Sequence, residues 1–229
     1  MCCTNSASSL ERTPSELVVR LGEFAHELRN ALATAVIAFR LIQEGKARLD
    51  GPTATIVMRC HQRMEDLMSQ TITGVRLRSG AALRRERILV ATLLRDVVAA
   101  TFPGPDVALS IDDSDPIEIE VDVAILSSAL YNLVQNAVKF TKSGGQVTLR
   151  ARGGGERVVV EVEDRCGGLP PGQTDDLFRP FVQGTTRRGG VGLGLDIARE
   201  AVEAHGGRLW ARDLPGVGCI FSLELPCPV

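Results

Sequence analysis

Residues 132–141 read Asn-Leu-Val-Gln-Asn-Ala-Val-Lys-Phe-Thr (NLVQNAVKFT). Asn132 and Asn136 are four apart, so on a helix they share one face. They form a polar strip in a run, Asp122–Phe140, that reads as a long amphipathic helix. The Asn136 carbonyl oxygen is a hard donor of the kind Mg²⁺ takes. Lys139 offers a point charge for phosphate. Alone, such a strip is an ordinary helix surface, so its meaning depends on what surrounds it.

Downstream, Val162-Glu-Asp164-Arg-Cys-Gly167-Gly168-Leu-Pro170 ends a strand in a carboxylate and turns through two glycines. A buried aspartate there can accept from an exocyclic amine such as that of adenine, and glycine lets backbone approach a flat ring closely. Further on, Gly189-Gly190-Val-Gly192-Leu-Gly194-Leu195 opens into a helix ending near His205. Glycine-rich backbone before a helix N-terminus is an anion site. It follows no strand and has no downstream ribose-binding acid, so the dinucleotide fingerprint fails, and without Gly-Lys-Ser/Thr it is no Walker loop.

The remainder of this half alternates helix and strand. Val90–Phe102 reads as helix, and Val107–Ile111 and Ile117–Val121 read as short strands. Gln146–Arg152 and Arg157–Asp164 form a hairpin around Gly153-Gly154-Gly155, and Arg208–Arg212 and Gly218–Leu225 close as strands. Helices mixed with antiparallel strands predict an α+β sandwich. His205 stands beside Gly206-Gly207, at a helix end where a cation is favoured.

The N-terminal third differs. Leu17, Leu21, Phe24, Leu28, Ala31, Ala35, Ala38 and Ile42 step by fours and threes, the repeat of helices packed along a seam. The helix stops near Gln43-Glu44-Gly45, and Pro52 restarts it with Val57, Cys60, Met64, Leu67 and Thr71 on one stripe. Such a hairpin exposes its apolar stripe, and two copies would bury it as a dimeric four-helix bundle. On the first helix His26 and Asn30 share a face away from the seam, with Glu27 about 100° round. An imidazole, a carboxylate and an amide are thereby presented to solvent. The expected boundaries are a disordered tail over 1–13, the helical hairpin over 14–80 with Arg76–Arg87 as its arginine-rich connector, and the sandwich over 81–229.

A net charge of −2 gives no basic excess for nucleic acid. No stretch of about 18 apolar residues is present, so no membrane span is expected. The cysteines, Cys2, Cys3, Cys60, Cys166, Cys219 and Cys227, lack metal-ligand spacing and read as reduced thiols in a cytoplasmic protein.

With these motifs in order, the sequence resembles the sensor histidine kinases over about residues 15–226. HELRN (His26–Asn30) is similar to their phospho-acceptor box and NLVQNAVKF to the N box. EDRCGG is similar to the G1 box, LFRPFVQ (Leu177–Gln183) to the F box, and GGVGLGL to the G2 box. The resemblance implies a dimerisation and phosphotransfer hairpin followed by a GHKL-type ATP-binding domain, with ATP and Mg²⁺ as ligands. It implies His26 as phospho-acceptor, Glu27 as the base beside it, and Asn30 as a positioner of water for dephosphorylating a partner. Asn136 would bind Mg²⁺, Asn132 and Lys139 would face the phosphates, and Phe140 would stack near the adenine. Asp164 would hold the adenine amine, Gly168 would allow close approach, and Gly190, Gly192 and Gly194 would hinge a lid over about 169–191. The partners implied are a second copy of the chain and a response regulator; with no sensor segment before the first helix, either a separate sensor protein controls the kinase or the sequence is a piece of a longer chain that carries one. The chain departs from the family pattern at Asn30-Ala31, where Thr-Pro is frequent, and at Cys166, which replaces a G1 glycine and would narrow the site. That replacement supports an alternative, a phosphotransfer or scaffold protein with a degenerate ATP site. A serine kinase of the same ATP fold would not need the His26 hairpin.

Overall fold

The computed structural model describes residues 14–48, 51–101, 107–113, 116–169, 174, 176–178 and 194–228. The chain divides into two compact units at Met68/Ser69. The expected tail over 1–13, Gly190, Gly192 and most of the expected lid lie outside the described residues.

The first unit is built from two long helices, α1 (Pro14–Gln43) and α2 (Pro52–Arg78), the last turns of which belong to the second unit. α1 ends as its glycine demands. Gly45 takes φ +68°, and the N–H of Lys46 returns to the Leu41 carbonyl at 2.9 Å. Pro52 opens α2 at a position where its missing N–H costs nothing. The seam is used as expected, with Ala31, Ala38 and Leu67 buried. A second apolar stripe, Leu32, Val36 and Phe39, repeats beside it at the same spacing and stays about half exposed, as does Ile37.

The second unit packs helices against one face of a sheet. Its strands are β1 (Glu86–Leu89), β2 (Ala108–Asp113), β3 (Glu118–Val121), β4 (Gln146–Gly154), β5 (Arg157–Glu163), β6 (Arg208–Leu214) and β7 (Gly218–Pro226). Its further helices are α3 (Val90–Ala100), α4 (Val123–Phe140) and α5 (Gly194–Ala204), with a 3-10 turn at Asp176–Phe178. The main sheet runs β2-β4-β5-β7-β6, and β1 pairs with β3 in a separate ribbon. The expectation of antiparallel strands is corrected at one edge, where β2 is parallel to β4. Between them the chain passes through β3 and α4, the kind of crossover that a parallel pair requires. β5 alternates, with Val158, Val160 and Val162 inward, and these meet Leu126, Leu130 and Leu133 of α4 in a single core.

The arginine-rich connector is more structured than a bare linker. It contains the end of α2 and the first two residues of β1, and Arg76, Arg78 and Arg85 bond through their side chains within the second unit. Arg76 pairs with Asp122 at 2.8 Å and Arg78 with Glu200 at 3.0 Å, and the Arg84 N–H donates to Asp122 at 3.0 Å. His205, which the sequence reads as a structural or surface residue at a helix end, is structural: it is buried, and its Nε2 accepts from the Asp122 N–H at 2.9 Å. Its other nitrogen, Nδ1, therefore carries the proton and donates to the Ala201 carbonyl at 2.7 Å. No described helix is long and apolar enough to cross a membrane.

Candidate functional site

In the first unit, α1 displays His26 and Asn30 on its exposed side, while Glu27 is half-buried. Glu27 Oε2 accepts from Arg63 Nη2 of α2 at 3.2 Å. The pair borders a cleft of about 320 Å³ whose walls include Asn30, Thr34, Arg59 and Cys60. An exposed imidazole thus stands one residue from a carboxylate fixed by a guanidinium.

In the second unit, the segment after β5 forms a cradle. Asp164 is buried, and its Oδ1 accepts from the backbone N–H groups of Cys166 at 3.1 Å and Cys219 at 2.9 Å. Its Oδ2 takes the Cys219 thiol, at 3.0 Å, a weak donor. Gly167 and Gly168 follow at φ +99° and +109°, a region that side chains strain to enter. The loop is tied on both sides. The Arg165 N–H donates to Thr141 Oγ1 at the end of α4, and the Leu169 N–H donates to Asp213 Oδ1 at 2.7 Å. This leaves one carboxylate oxygen held by a weak thiol donor, in a segment that runs on into two glycines, a combination that suits a planar amine-bearing ring.

The polar strip of α4 is divided by the fold. Asn136, Lys139 and Phe140 are half-exposed, and the Lys139 Nζ lies 5.0 Å from the Phe140 ring centroid. Asn132 is instead buried. Its Oδ1 accepts from Gln70 Nε2 at 2.9 Å because the last turns of α2 cover that turn of α4, and its Nδ2 has no partner among the described residues. A buried donor left unpaired is costly, and this one lies beside the start of α5, where Gly194 stands close to the Asn132 side chain. An unspent donor near a glycine-led helix N-terminus fits a phosphate-bearing ligand. The hard, half-buried Asn136 oxygen is compatible with Mg²⁺, which takes one or two protein ligands and completes its shell with phosphate and water.

Sequence reasoning missed Cys219, Gly218, Gln70 and Asp213. A Cβ on Gly218 would collide with the Asp164 carbonyl, so the strand can pass beside the aspartate only as glycine. The buried run of β7 was visible in the sequence, but its register against Asp164 was not. The Cys166 sulfur, expected to narrow the site, turns toward Cys219, with Sγ–Sγ 3.9 Å. Contact with that sulfur, burial and the Asp164 charge push the Cys219 thiol up, well beyond the ordinary range.

Residues 121–229 match the family model described as histidine kinase-, DNA gyrase B-, and HSP90-like ATPase. The alginate biosynthesis sensor protein KinB of Pseudomonas aeruginosa is 31% identical over 231 residues, covering 95% of this chain and 38% of KinB. The chain thus spans well under half of that relative. Full-length ShkA, solved in complex with AMPPNP, superposes with a TM-score of 0.63 at 27% identity, covering 95% of this chain and 47% of ShkA. The histidine kinase ThkA, solved in complex with the response regulator TrrA, shares the fold with a TM-score of 0.63 at 22% identity, over 98% of this chain and 68% of ThkA. With the cradle at Asp164 and the helical unit carrying His26 already in place, residues 121–229 belong to the histidine kinase-, DNA gyrase B-, and HSP90-like ATPase family, in a chain similar to sensor histidine kinases along 95% of its length.

Proposed function

We propose that this chain is an ATP-dependent histidine kinase of two-component signalling, with residues 14–80 as the dimerisation and phosphotransfer hairpin and 81–229 as the catalytic domain. The observation that carries the reading is Asp164, a buried carboxylate with one oxygen locked by two backbone N–H groups and the other held by a weak thiol donor, followed in the chain by Gly167 and Gly168. Its Oδ2 accepts a hydrogen bond from the adenine amine, Gly168 admits the ring, and Phe140 stacks against it. Asn132 and Lys139 meet the phosphates, and Gly190, Gly192 and Gly194 hinge the lid. Bound Mg²⁺ would neutralise phosphate charge, with Asn136 as the side chain to hold it.

The neutral His26 imidazole attacks the γ-phosphorus in line. An N–P bond forms, the P–O bond to ADP breaks, and Glu27 stabilises the ring as it becomes cationic. The phosphoryl group then passes to an aspartate of a response regulator, a partner class supported by the ThkA–TrrA complex. In the reverse sense, Asn30 orients the water that dephosphorylates that regulator. The exposed Leu32, Val36 and Phe39 stripe supports a homodimer, since burying each such side chain is worth about 1.5–3 kcal/mol. Supply of ATP would put the reaction in the cytoplasm.

The test is incubation of the chain with γ-labelled ATP. Base-stable, acid-labile label on the native chain and none on His26→Ala is expected. Label retained by the variant, or acid-stable label, overturns the assignment.

A further inference from the structure

The floor of the cradle sets two thiols, which nucleotide binding does not use, beside Asp164. Asp164, Cys166 and Cys219 each offer one ligand atom, and these atoms lie within 4.8 Å of one another. We propose that the three side chains form a site for a thiophilic divalent cation, Zn²⁺ by its chemistry, and that the bound metal excludes adenine nucleotide from the cradle. The exclusion, though not the metal site itself, rests on reading Asp164 as the acceptor for the adenine amine.

The spacing is that of a metal site. Two thiolates held about 2.3 Å from zinc at a tetrahedral angle stand roughly 3.8 Å apart. The Cys166 and Cys219 sulfurs are 3.9 Å apart without any ion. A disulfide would need them to close to about 2.05 Å, whereas a bridging metal asks almost no movement. The second edge, Cys219 Sγ to Asp164 Oδ2, is 3.0 Å and opens slightly to admit the ion, and the edge from Cys166 to Asp164 is no longer than 4.8 Å. Asp164 is already oriented for this task. Two backbone N–H groups fix Oδ1 and leave Oδ2 toward the sulfurs, the outer-shell support that ligating carboxylates need.

The donor set also selects the ion. Two thiolates with one carboxylate favour Zn²⁺ over the hard Mg²⁺ that attends ATP. Cys219 and Asp164 are buried, while half-buried Cys166 provides the way in and leaves a fourth position for water. Binding converts two thiols and Zn²⁺ into a dithiolate complex and releases two protons, so affinity falls toward acid pH. Three anionic ligands around a divalent ion leave one net negative charge, with the Lys142 ammonium against neighbouring Gly167. Because the ion occupies Oδ2, the adenine amine loses its acceptor.

The full chain is titrated anaerobically with Co²⁺ as a spectroscopic stand-in. One ion per chain with a thiolate-to-cobalt charge-transfer band, reversed by Zn²⁺, is expected. Cys166→Ser and Cys219→Ser should each weaken binding by more than the roughly tenfold to hundredfold that loss of an outer-shell partner costs, and Cys60→Ser should leave the band intact. Cobalt spectra without the band, or a band that survives in Cys166→Ser, overturn the site; the half-exposed Cys166 keeps this test valid should Cys219→Ser misfold. A fluorescent ATP analogue then tests exclusion. Zn²⁺ should weaken it at least tenfold more in the native chain than in Cys166→Ser, where only chelation by the phosphates operates. Equal weakening in both overturns the exclusion. An analogue that fails to bind the metal-free native chain overturns the nucleotide reading, while the cobalt band still judges the metal site.

Discussion

Asp122 and Asp164 are two buried aspartates of the same unit, each just past the end of a strand and each accepting from two backbone N–H groups. They differ in what remains. Asp122 spends both oxygens: Oδ1 caps α4 through the Ile125 N–H, and Oδ2 takes the Arg84 N–H and the Arg76 guanidinium. Burial pushes its carboxyl up, but those N–H groups and the guanidinium outweigh burial and hold it below the usual carboxylate range. Asp164 crowds both N–H groups onto Oδ1 and leaves Oδ2 with a thiol. A carboxylate with a complete set of donors is an anchor. One held at a single oxygen is a reader, rigid but still able to accept from a ligand.

The largest effect should come from removing the anchor. Asp122→Ala loses a helix cap and orphans the Arg84 N–H, at about 3 kcal/mol of stability by urea unfolding. The folded fraction should keep its nucleotide affinity. A variant that unfolds no more readily but loses nucleotide would erase the distinction between the two aspartates. Removing the reader should do the reverse. Asp164→Asn keeps an oxygen for the backbone donors but faces the adenine amine with another donor, costing about 2 kcal/mol of nucleotide affinity by calorimetry with little change in thermal midpoint.

Acid separates them further. Burial, first, and the positive charge of Arg85 lower the His205 pKa, against the opposing pull of the Ala201 carbonyl and Asp122. The unfolded chain then binds the proton more readily than the folded one. His205 therefore costs no stability above its unfolded pKa of about 6.5, and below it stability falls by up to about 1.4 kcal/mol per pH unit until the folded ring protonates. His205→Gln, which can still accept from the Asp122 N–H, should flatten that decline between pH 6.5 and 5. Asp122, with its lowered pKa, contributes stability that is present above about pH 4 and lost as pH falls through the folded value. An acid limb unchanged by His205→Gln would show the ring to be solvated. The smallest change is expected at Arg76→Met. That guanidinium is a third exposed, so solvent screens the pair and about 0.5–1 kcal/mol should be lost.

Local patterning made most of this fold legible. The stripe of α4, the alternation of β5 and the stop at Gly45 each announce their element within a dozen residues. β1 was hidden because its exposed charges, Glu86 and Arg87, give no alternation to read. Asp164 could be singled out as a strand-end carboxylate, but not Cys219, whose place beside it depends on strand register across 55 residues. Asn132 was read as surface because its cover, Gln70, comes from 62 residues earlier. Buried polar pairs at such separations leave no periodic trace, and the site is made largely of them.

The division of α2 bears on where this protein can be cut. A fragment starting after Arg78, at the natural-looking end of the helix, would discard Gln70, Thr73, Arg76 and Arg78. It would leave Asn132 with neither of its amide atoms engaged and Asp122 short of a guanidinium. An excised ATPase module should begin at or before Ser69, carrying its borrowed length of helix as a built-in splint.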